Sequence, residues 1–82
     1  MQAGNFHDAE TLWRQLAAKY PQNPEVRGNL GVCLAQQGRL QQATAQYRKS
    51  LEIKPGQSDV LYNLGIAEFK QGHFAAAIPV FE

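Results

Sequence analysis

The residues with reactive side chains are few in this sequence, and their spacing matches no metal-binding motif. Cys33 is the single cysteine, so the chain has neither an internal disulfide nor a pair of thiolates for zinc. His7 and His73 have no cysteine or second histidine at ligand spacing, and we predict that both lie at the surface. The sequence therefore predicts no metal site and no cofactor.

The carboxylates and glycines also indicate no catalytic machinery. The seven Asp and Glu residues are scattered along segments typical of solvated helices, where they do not pair as a general acid and base. The glycines in the Gly-Asn-Leu-Gly segment at residues 28–31 fall within a helical pattern, so they form no phosphate-binding loop. We therefore expect no enzymatic activity from this chain.

The charges are nearly balanced, with eight Lys and Arg against seven Asp and Glu and a net charge of +1. Basic residues are spread from Arg14 to Lys70 without a dense block, which argues against nucleic-acid and membrane-surface binding. We see no signal peptide in the first residues and no segment long enough to span a membrane. The compartment stays open, with the cytoplasm as the default expectation.

The secondary-structure elements that position these residues are indicated by an internal repeat in the sequence. Gly4, Gly38 and Gly72 are each 34 positions apart, and many other residues recur at the same offset. These are Phe6, Leu40 and Phe74; Ala9, Ala43 and Ala77; Trp13, Tyr47 and Phe81; Pro21 and Pro55; Asn29 and Asn63; and the Leu-Gly pairs at 30–31 and 64–65. The repeat predicts one structural unit used several times.

Glycine and proline divide each copy into two helices. Asn23 is suited to cap a first helix over about 24–37, which has proline at its first position, and Gly38 ends this helix. A second helix is predicted at about 41–53 because the following Pro-Gly pair stops it. Ser58 is predicted to cap the first helix of the next copy.

These recurring residues resemble the tetratricopeptide repeat family. The copy at 24–57 matches the family pattern with Leu30-Gly31, Leu34, Ala43, Tyr47, Ser50 and Pro55. The resemblance implies an all-α fold, a right-handed α-solenoid of antiparallel helix pairs with about two and a half units. We expect a single domain over 1–82, made of the second helix of a partial repeat at 1–23, a complete repeat at 24–57 and a truncated repeat at 58–82.

Small residues at recurring positions predict close crossings of paired helices. Gly31 and Ala43 occupy such positions, and we expect Trp13 and Tyr47 to fill the core beside them rather than to stack on a ligand. Gly65 and Ala77 occupy the equivalent positions of the next copy, where we also expect paired helices to cross closely.

Several residues depart from the family pattern. Arg27 replaces a bulky residue, Leu16 replaces a small one, and Glu68 stands where an aromatic residue or leucine is expected. An unpaired buried carboxylate costs several kcal/mol, so we expect Glu68 to be partly exposed. Pro79 is expected in about the first turn of the last helix.

The resemblance also implies a binding surface. In the family, the first helix of each pair lines a concave groove that holds peptides or partner helices. Helical geometry places a second stripe away from the structural one on each first helix. The predicted groove residues are Glu25, Asn29, Val32 and Gln36 from the central copy and Asp59, Tyr62, Asn63, Ile66, Phe69 and Lys70 from the next.

The groove residues indicate the character of the ligand. The lysines and arginines that clamp a C-terminal carboxylate in some family members are replaced here by acidic, apolar and aromatic residues, so we do not expect that clamp. We expect a protein or peptide ligand of apolar or aromatic character, with a basic residue near Glu25 or Asp59. The predicted function is a scaffold for protein–protein interaction.

An alternative is self-association through the ends of the repeat array. In this interpretation the chain begins with a second helix that lacks its partner, and it stops at Glu82 inside another helix. Repeats without polar capping units expose core surface, which favours homo-oligomers or helix exchange.

Overall fold

A computed structural model describes residues 3–72, with side chains from Asp8 onward, and this part of the chain contains four α-helices and no strand. The helices are α1 at Ala3–Lys19, α2 at Pro24–Gln36, α3 at Leu40–Ile53 and α4 at Ser58–Lys70. The all-α prediction is confirmed. The predictions for the side chain of His7 and for His73, Ala77 and Pro79 lie outside the described residues.

The helices pack in chain order, as expected of a helical solenoid. Each helix contacts the next along the chain, and α2 also contacts α4. All four helices contribute to one apolar core. Its buried members are Ala17, Val26, Leu30, Leu34, Ala43, Tyr47, Val60, Leu64 and Ala67. Each fully buried leucine in such a core contributes about 1.5–3 kcal/mol.

The predicted core positions of the central copy are confirmed. Ala43 is fully buried and Tyr47 is 2% exposed. Trp13 is partly buried and packs against the same core. Neither aromatic residue is placed to act as an open stacking platform for a ligand.

The ends of α2 follow the sequence signals. The Asn23 side-chain oxygen accepts hydrogen bonds from the backbone N–H groups of Glu25 and Val26, at 2.9 and 3.2 Å. These bonds satisfy two of the donors that a helix leaves unpaired at its first turn. Gly38 follows the helix with a φ of 77°, a left-handed conformation that favours glycine.

The start of α4 differs from the prediction, because Ser58 is the first helical residue and not the cap. Gln57 is the N-cap residue, and its side chain caps no N–H group of α4. Its Nε2 instead donates to the Lys54 carbonyl at 2.7 Å and to the carbonyl and hydroxyl of Ser50, both at 3.1 Å. The side chain of Gln57 is long enough to reach back to the last turn of α3, which it stabilises.

Glu68 is buried, with 4% of its surface exposed, so the expectation of partial exposure is wrong. Its carboxylate forms an ion pair with the Arg48 guanidinium, which reaches it from α3. A charged hydrogen-bond donor offsets the cost of removing the carboxylate from water. The pair joins the second helix of one repeat to the first helix of the next.

A second buried carboxylate ties α1 to the turn between α2 and α3. Glu10 accepts hydrogen bonds from Arg39 at 2.6 Å, Arg14 at 2.7 Å and Gln37 at 3.0 Å. The bonds from Arg14 and Gln37 and the charge of Arg39 hold the pKa of Glu10 below its ordinary value, although burial acts in the opposite direction. Arg14 is four residues from Glu10 on the same helix, whereas Gln37 and Arg39 come from the turn after α2, and no motif in the sequence links them to Glu10.

Candidate functional site

A cleft of about 270 Å³ lies between α2 and α4. We call it the α2–α4 cleft. It is lined by Pro24, Glu25, Gly28, Asn29, Val32, Gln57, Asp59, Val60 and Asn63. These residues come from the N-terminal parts of two equivalent helices and from the turn before α4.

Helix starts position the two carboxylates of the cleft. Glu25 lies in the first turn of α2, which Asn23 caps, and Asp59 lies in the first turn of α4. Negative side chains at helix N-termini are stabilised by the helix dipole. Glu25 and Asp59 are both exposed, so their charges remain accessible at the mouth of the cleft.

Asn29 and Asn63 add neutral hydrogen-bonding groups to the cleft, one from each helix. They occupy equivalent positions 34 residues apart. A carboxamide both donates and accepts hydrogen bonds, as a peptide backbone does. The cleft therefore combines acceptors for a cation with groups that match a peptide unit, and no Lys, Arg or His is among its lining residues.

The floor of the cleft is closed by packing of α2 on α4. Gly28 is buried, and a Cβ atom at this position would lie 3.4 Å from Val60 Cγ2 and 3.7 Å from Ser50 Oγ. The space beside Gly28 is thus bordered by the protein's own atoms.

The structure brings together half of the predicted groove residues. Those that line the cleft are Glu25, Asn29, Val32, Asp59 and Asn63. Tyr62 and Phe69 are 60% and 57% exposed and lie on α4 outside the lining of the cleft, as does the half-buried Ile66. Gln36 is exposed at the end of α2. Lys70 borders a different cavity, beside the turn between α2 and α3.

A second cavity, of about 550 Å³, adjoins the cleft at the helix N-termini. The two share Pro24, Glu25 and Gln57. Tyr20 and Lys54 also line this loop cavity, and Tyr20 is 47% exposed. Sequence reasoning missed these residues because it treated the turns only as breaks between helices. The recurrence of Pro21 and Pro55 in the two turns was the available signal.

Other classes of site are not seen in the described part of the chain. Among the described residues, no three His, Cys, Asp or Glu side chains are grouped so that they could hold a metal ion. None of the described helices has both the length and the apolar character needed to cross a membrane.

Comparison with known proteins relates the chain to several larger ones. It is 35% identical over 59 residues to the protein O-mannosyl-transferase Tmtc2 of Drosophila melanogaster, a match that covers 72% of this chain and 6% of the transferase. It is 27% identical over 74 residues to the BBSome complex member BBS4 of Mus musculus, covering 90% of this chain and 14% of that protein. The chain thus spans a small fraction of these curated relatives.

Solved structures of MamA share the fold. The structure MamA AMB-1 superimposes with a TM-score of 0.90 at 28% identity, over 98% of this chain and 44% of MamA. MamA MSR-1 gives a TM-score of 0.88 at 27% identity, over 94% of this chain and 44% of that one. A tetratricopeptide repeat family model matches residues 1–58, which include α1, α2 and α3. The chain belongs to the tetratricopeptide repeat family.

Proposed function

We propose that this chain is a protein-interaction module that binds an extended peptide segment of a partner protein in the α2–α4 cleft. The observation that carries the proposal is the convergence of two carboxylates and two carboxamides on one cleft. These groups belong to Glu25, Asp59, Asn29 and Asn63. The family and the solenoid fold support the same class of function. One relative is a member of the BBSome complex, which supports a role in assembly with other proteins.

The charges of the cleft define one part of the ligand. Glu25 and Asp59 face a cleft without basic lining residues, so a lysine or arginine side chain of the ligand would complement them. Asn29 and Asn63 would bond the ligand backbone at two points along its length. Hydrogen bonds that a cationic group donates to a carboxylate are about twice as strong as neutral ones.

The apolar part of the ligand would lie on either side of the cleft. Tyr62 and Phe69 present aromatic surface along α4, and Tyr20 borders the loop cavity at the other end. Exposed aromatic side chains favour protein contacts because they bury a large area at a small cost in conformational entropy. We therefore infer a basic residue flanked by apolar or aromatic residues.

A peptide-library screen tests this function. We expect the selected sequences to share lysine or arginine and to lose affinity by at least tenfold for the Glu25→Gln/Asp59→Asn double variant. The Asn29→Ala/Asn63→Ala and Tyr62→Ala/Phe69→Ala variants report on the backbone and aromatic contacts separately. Glu52→Gln is the matched control, because Glu52 is an exposed carboxylate on α3 that lines a different cavity.

Unchanged affinity of all selected peptides for the carboxylate and carboxamide variants would exclude the cleft as the site. Loss of affinity only for the aromatic variant would move the site to the exposed face of α4. Thermal melts of each variant establish that it is folded.

Self-association through the repeat ends is the second candidate function. Its support is Leu12, which is 54% exposed on α1, the first of the described helices. Sedimentation velocity over a range of concentrations tests it. A concentration-dependent oligomer that Leu12→Lys converts to a monomer supports this candidate, and a strict monomer excludes it.

A further inference from the structure

Arg27 stands where the family pattern has a bulky apolar residue, and neither the core nor the α2–α4 cleft accounts for it. The side chain is half-buried. Its Nε donates to the Pro21 carbonyl and its Nη1 to the Gln46 side chain, both at 3.3 Å. Both acceptors are neutral, and both distances exceed the optimum for such bonds. The ion pairs found among the described residues do not include Arg27.

The position of Arg27 in α2 also favours a bound anion. It is the fourth residue of the helix, at the end of the first turn. The helix N-terminus carries a partial positive charge, so a cation in this turn is disfavoured. A bound carboxylate would interact favourably with both the guanidinium and the helix end.

A second guanidinium borders the same small cavity, which has a volume of about 230 Å³. We call this cavity the Arg14–Arg27 seam. Its lining residues are Arg14, Ala17, Ala18, Arg27, Leu30 and Gln46, from α1, α2 and α3. The aliphatic residues among them suit the methylene groups of a glutamate or aspartate side chain.

The charge of Arg14 is only partly balanced within the protein. Its Nε bonds Glu10 at 2.7 Å, but the same carboxylate also pairs with Arg39 at 2.6 Å. One carboxylate therefore serves two guanidiniums. The Arg14 Nη2 donates to the neutral Gln42 side chain at 3.3 Å. The seam thus has an excess of positive charge.

An adjoining cavity of about 200 Å³ extends the surface past Arg27. It contains one cation and one carboxylate besides Arg27, from Lys49 and Glu52 of α3. Because the charges of these two residues cancel, the adjoining cavity does not change the excess of positive charge at the seam.

We propose that the Arg14–Arg27 seam binds a carboxylate side chain from an acidic segment of a partner protein. The seam is a separate surface from the cleft. Each residue turns an α-helix by about 100°, and Glu25 and Asn29 are each two residues from Arg27, so Arg27 lies about 160° around α2 from both of them by the shorter way. The two sides of α2 therefore present opposite charges, acidic at the cleft and basic at the seam.

The composition of the seam favours a protein over a nucleic acid. Binding to a phosphate backbone is driven by neutralising many phosphates, and this surface offers two guanidiniums and one ammonium. Its lining residues include no aromatic side chain on which a base could stack. A planar guanidinium pair instead suits the bidentate geometry of a carboxylate.

Fluorescence polarisation with a labelled dodecapeptide of alternating glutamate and alanine tests the proposal. We expect the wild-type chain to bind it at low salt, to bind a lysine–alanine dodecapeptide more weakly, and to lose affinity as salt rises. Arg27→Met keeps the aliphatic stem and should weaken binding at least fivefold, and Arg14→Met/Arg27→Met should abolish it. Lys19→Met removes an exposed cation of α1 that is not among the lining residues of the seam and should leave the affinity unchanged.

Chemical-shift mapping with the same peptide locates the contact in the wild-type chain, independently of any variant's stability. We expect the shifts to cluster on Ala17, Ala18, Arg27 and Gln46. A peptide selected for the α2–α4 cleft should not displace the acidic peptide. Failure of the seam proposal can therefore be distinguished from failure of the proposed function of the cleft.

Three kinds of result would overturn the proposal. The first is a contact outside the seam, shown either by equal affinity of the Arg27→Met and Lys19→Met variants or by chemical shifts away from the seam. The second is tighter binding of a labelled dodecathymidylate with the same dependence on Arg27, which would assign the seam to nucleic acid. The third is a wild-type oligomer that Arg27→Met dissociates, which would make a second copy of the chain the occupant.

Discussion

Gly31 of α2 lies against the ring of Tyr47 of α3, so closely that a Cβ atom at position 31 would be 2.6 Å from Tyr47 Cε1. The ring is 2% exposed and has little room to move. We predict that Gly31→Ala destabilises the fold by about 1–3 kcal/mol, as overpacked cores do. This loss would outweigh the gain of about 1 kcal/mol that alanine brings to a helix interior. Urea denaturation measures the difference.

Gly28 of the same helix provides the control for this prediction. A Cβ atom there would meet Val60 Cγ2 at 3.4 Å, an ordinary contact distance. We predict that Gly28→Ala is neutral or stabilises the protein by up to about 1 kcal/mol. Equal destabilisation by both substitutions would contradict the packing described for Gly31.

Protonation of Glu10 is predicted to weaken the fold in acid. Because the folded-state pKa of Glu10 is lowered, its contribution is fully present above its ordinary pKa of about 4.5 and is lost as the pH falls through the lower folded-state value. We expect the melting temperature to fall across this acid range. Glu10→Gln should reduce that dependence and lower stability near neutral pH, and an unchanged pH profile would argue against the cluster.

The Arg48–Glu68 pair predicts an asymmetry between two substitutions. Arg48→Met removes a charged partner of a buried carboxylate and should cost about 1–3 kcal/mol. Glu68→Leu restores the residue type of Leu34, its equivalent one repeat earlier, and should cost less or stabilise the protein. Chemical denaturation measures the free energy of unfolding of both variants. A larger loss of stability for Glu68→Leu than for Arg48→Met would contradict the prediction.

The thiol of Cys33 is predicted to react slowly in the native protein. Burial raises its pKa, and the negative charge of Glu10 acts in the same direction. The thiolate is the reactive form, so both burial and charge suppress modification. We expect a thiol reagent to label Cys33 at neutral pH much faster in urea than in buffer, and rapid labelling without urea would show that the core opens.

Local signals in the sequence were sufficient to predict the helices. The 34-residue offset predicted repeated helix pairs, and the cap at Asn23 and the end at Gly38 each depend on neighbours a few residues away. Such short-range interactions are readable from sequence because the interacting groups stay close in every conformation of the chain. Local signals are insufficient at Gln57, because its side chain bonds the end of α3 and does not cap α4.

Interactions between distant residues were not predicted. Glu68 was expected to be partly exposed because its partner, Arg48, is 20 positions away and nothing in the pattern linked them. Glu10 and Arg39 are 29 positions apart and share no motif. A charged side chain on an apolar helix face is either exposed to water or buried with an ion-pair partner. Which of the two occurs depends on how distant parts of the chain pack together.

The α2–α4 cleft includes only part of the predicted groove. Lining residues of the cleft fall within 24–32 and 57–63. Gln36, Phe69 and Lys70 lie beyond these ranges. Periodicity gives the angle of a side chain around its helix, whereas the extent of a cleft depends on how two helices cross.

One buried hydroxyl connects both walls of this cleft from behind. Ser50 is fully buried on α3, and its Oγ donates to the Pro24 carbonyl of α2 at 2.8 Å and accepts from Gln57, just before α4, at 3.1 Å. Pro24 and Gln57 both line the cleft. A substitution at Ser50 would therefore remove a bond to each wall of the cleft without changing a lining residue, so the separation of the two walls depends on a side chain that lies outside the cleft.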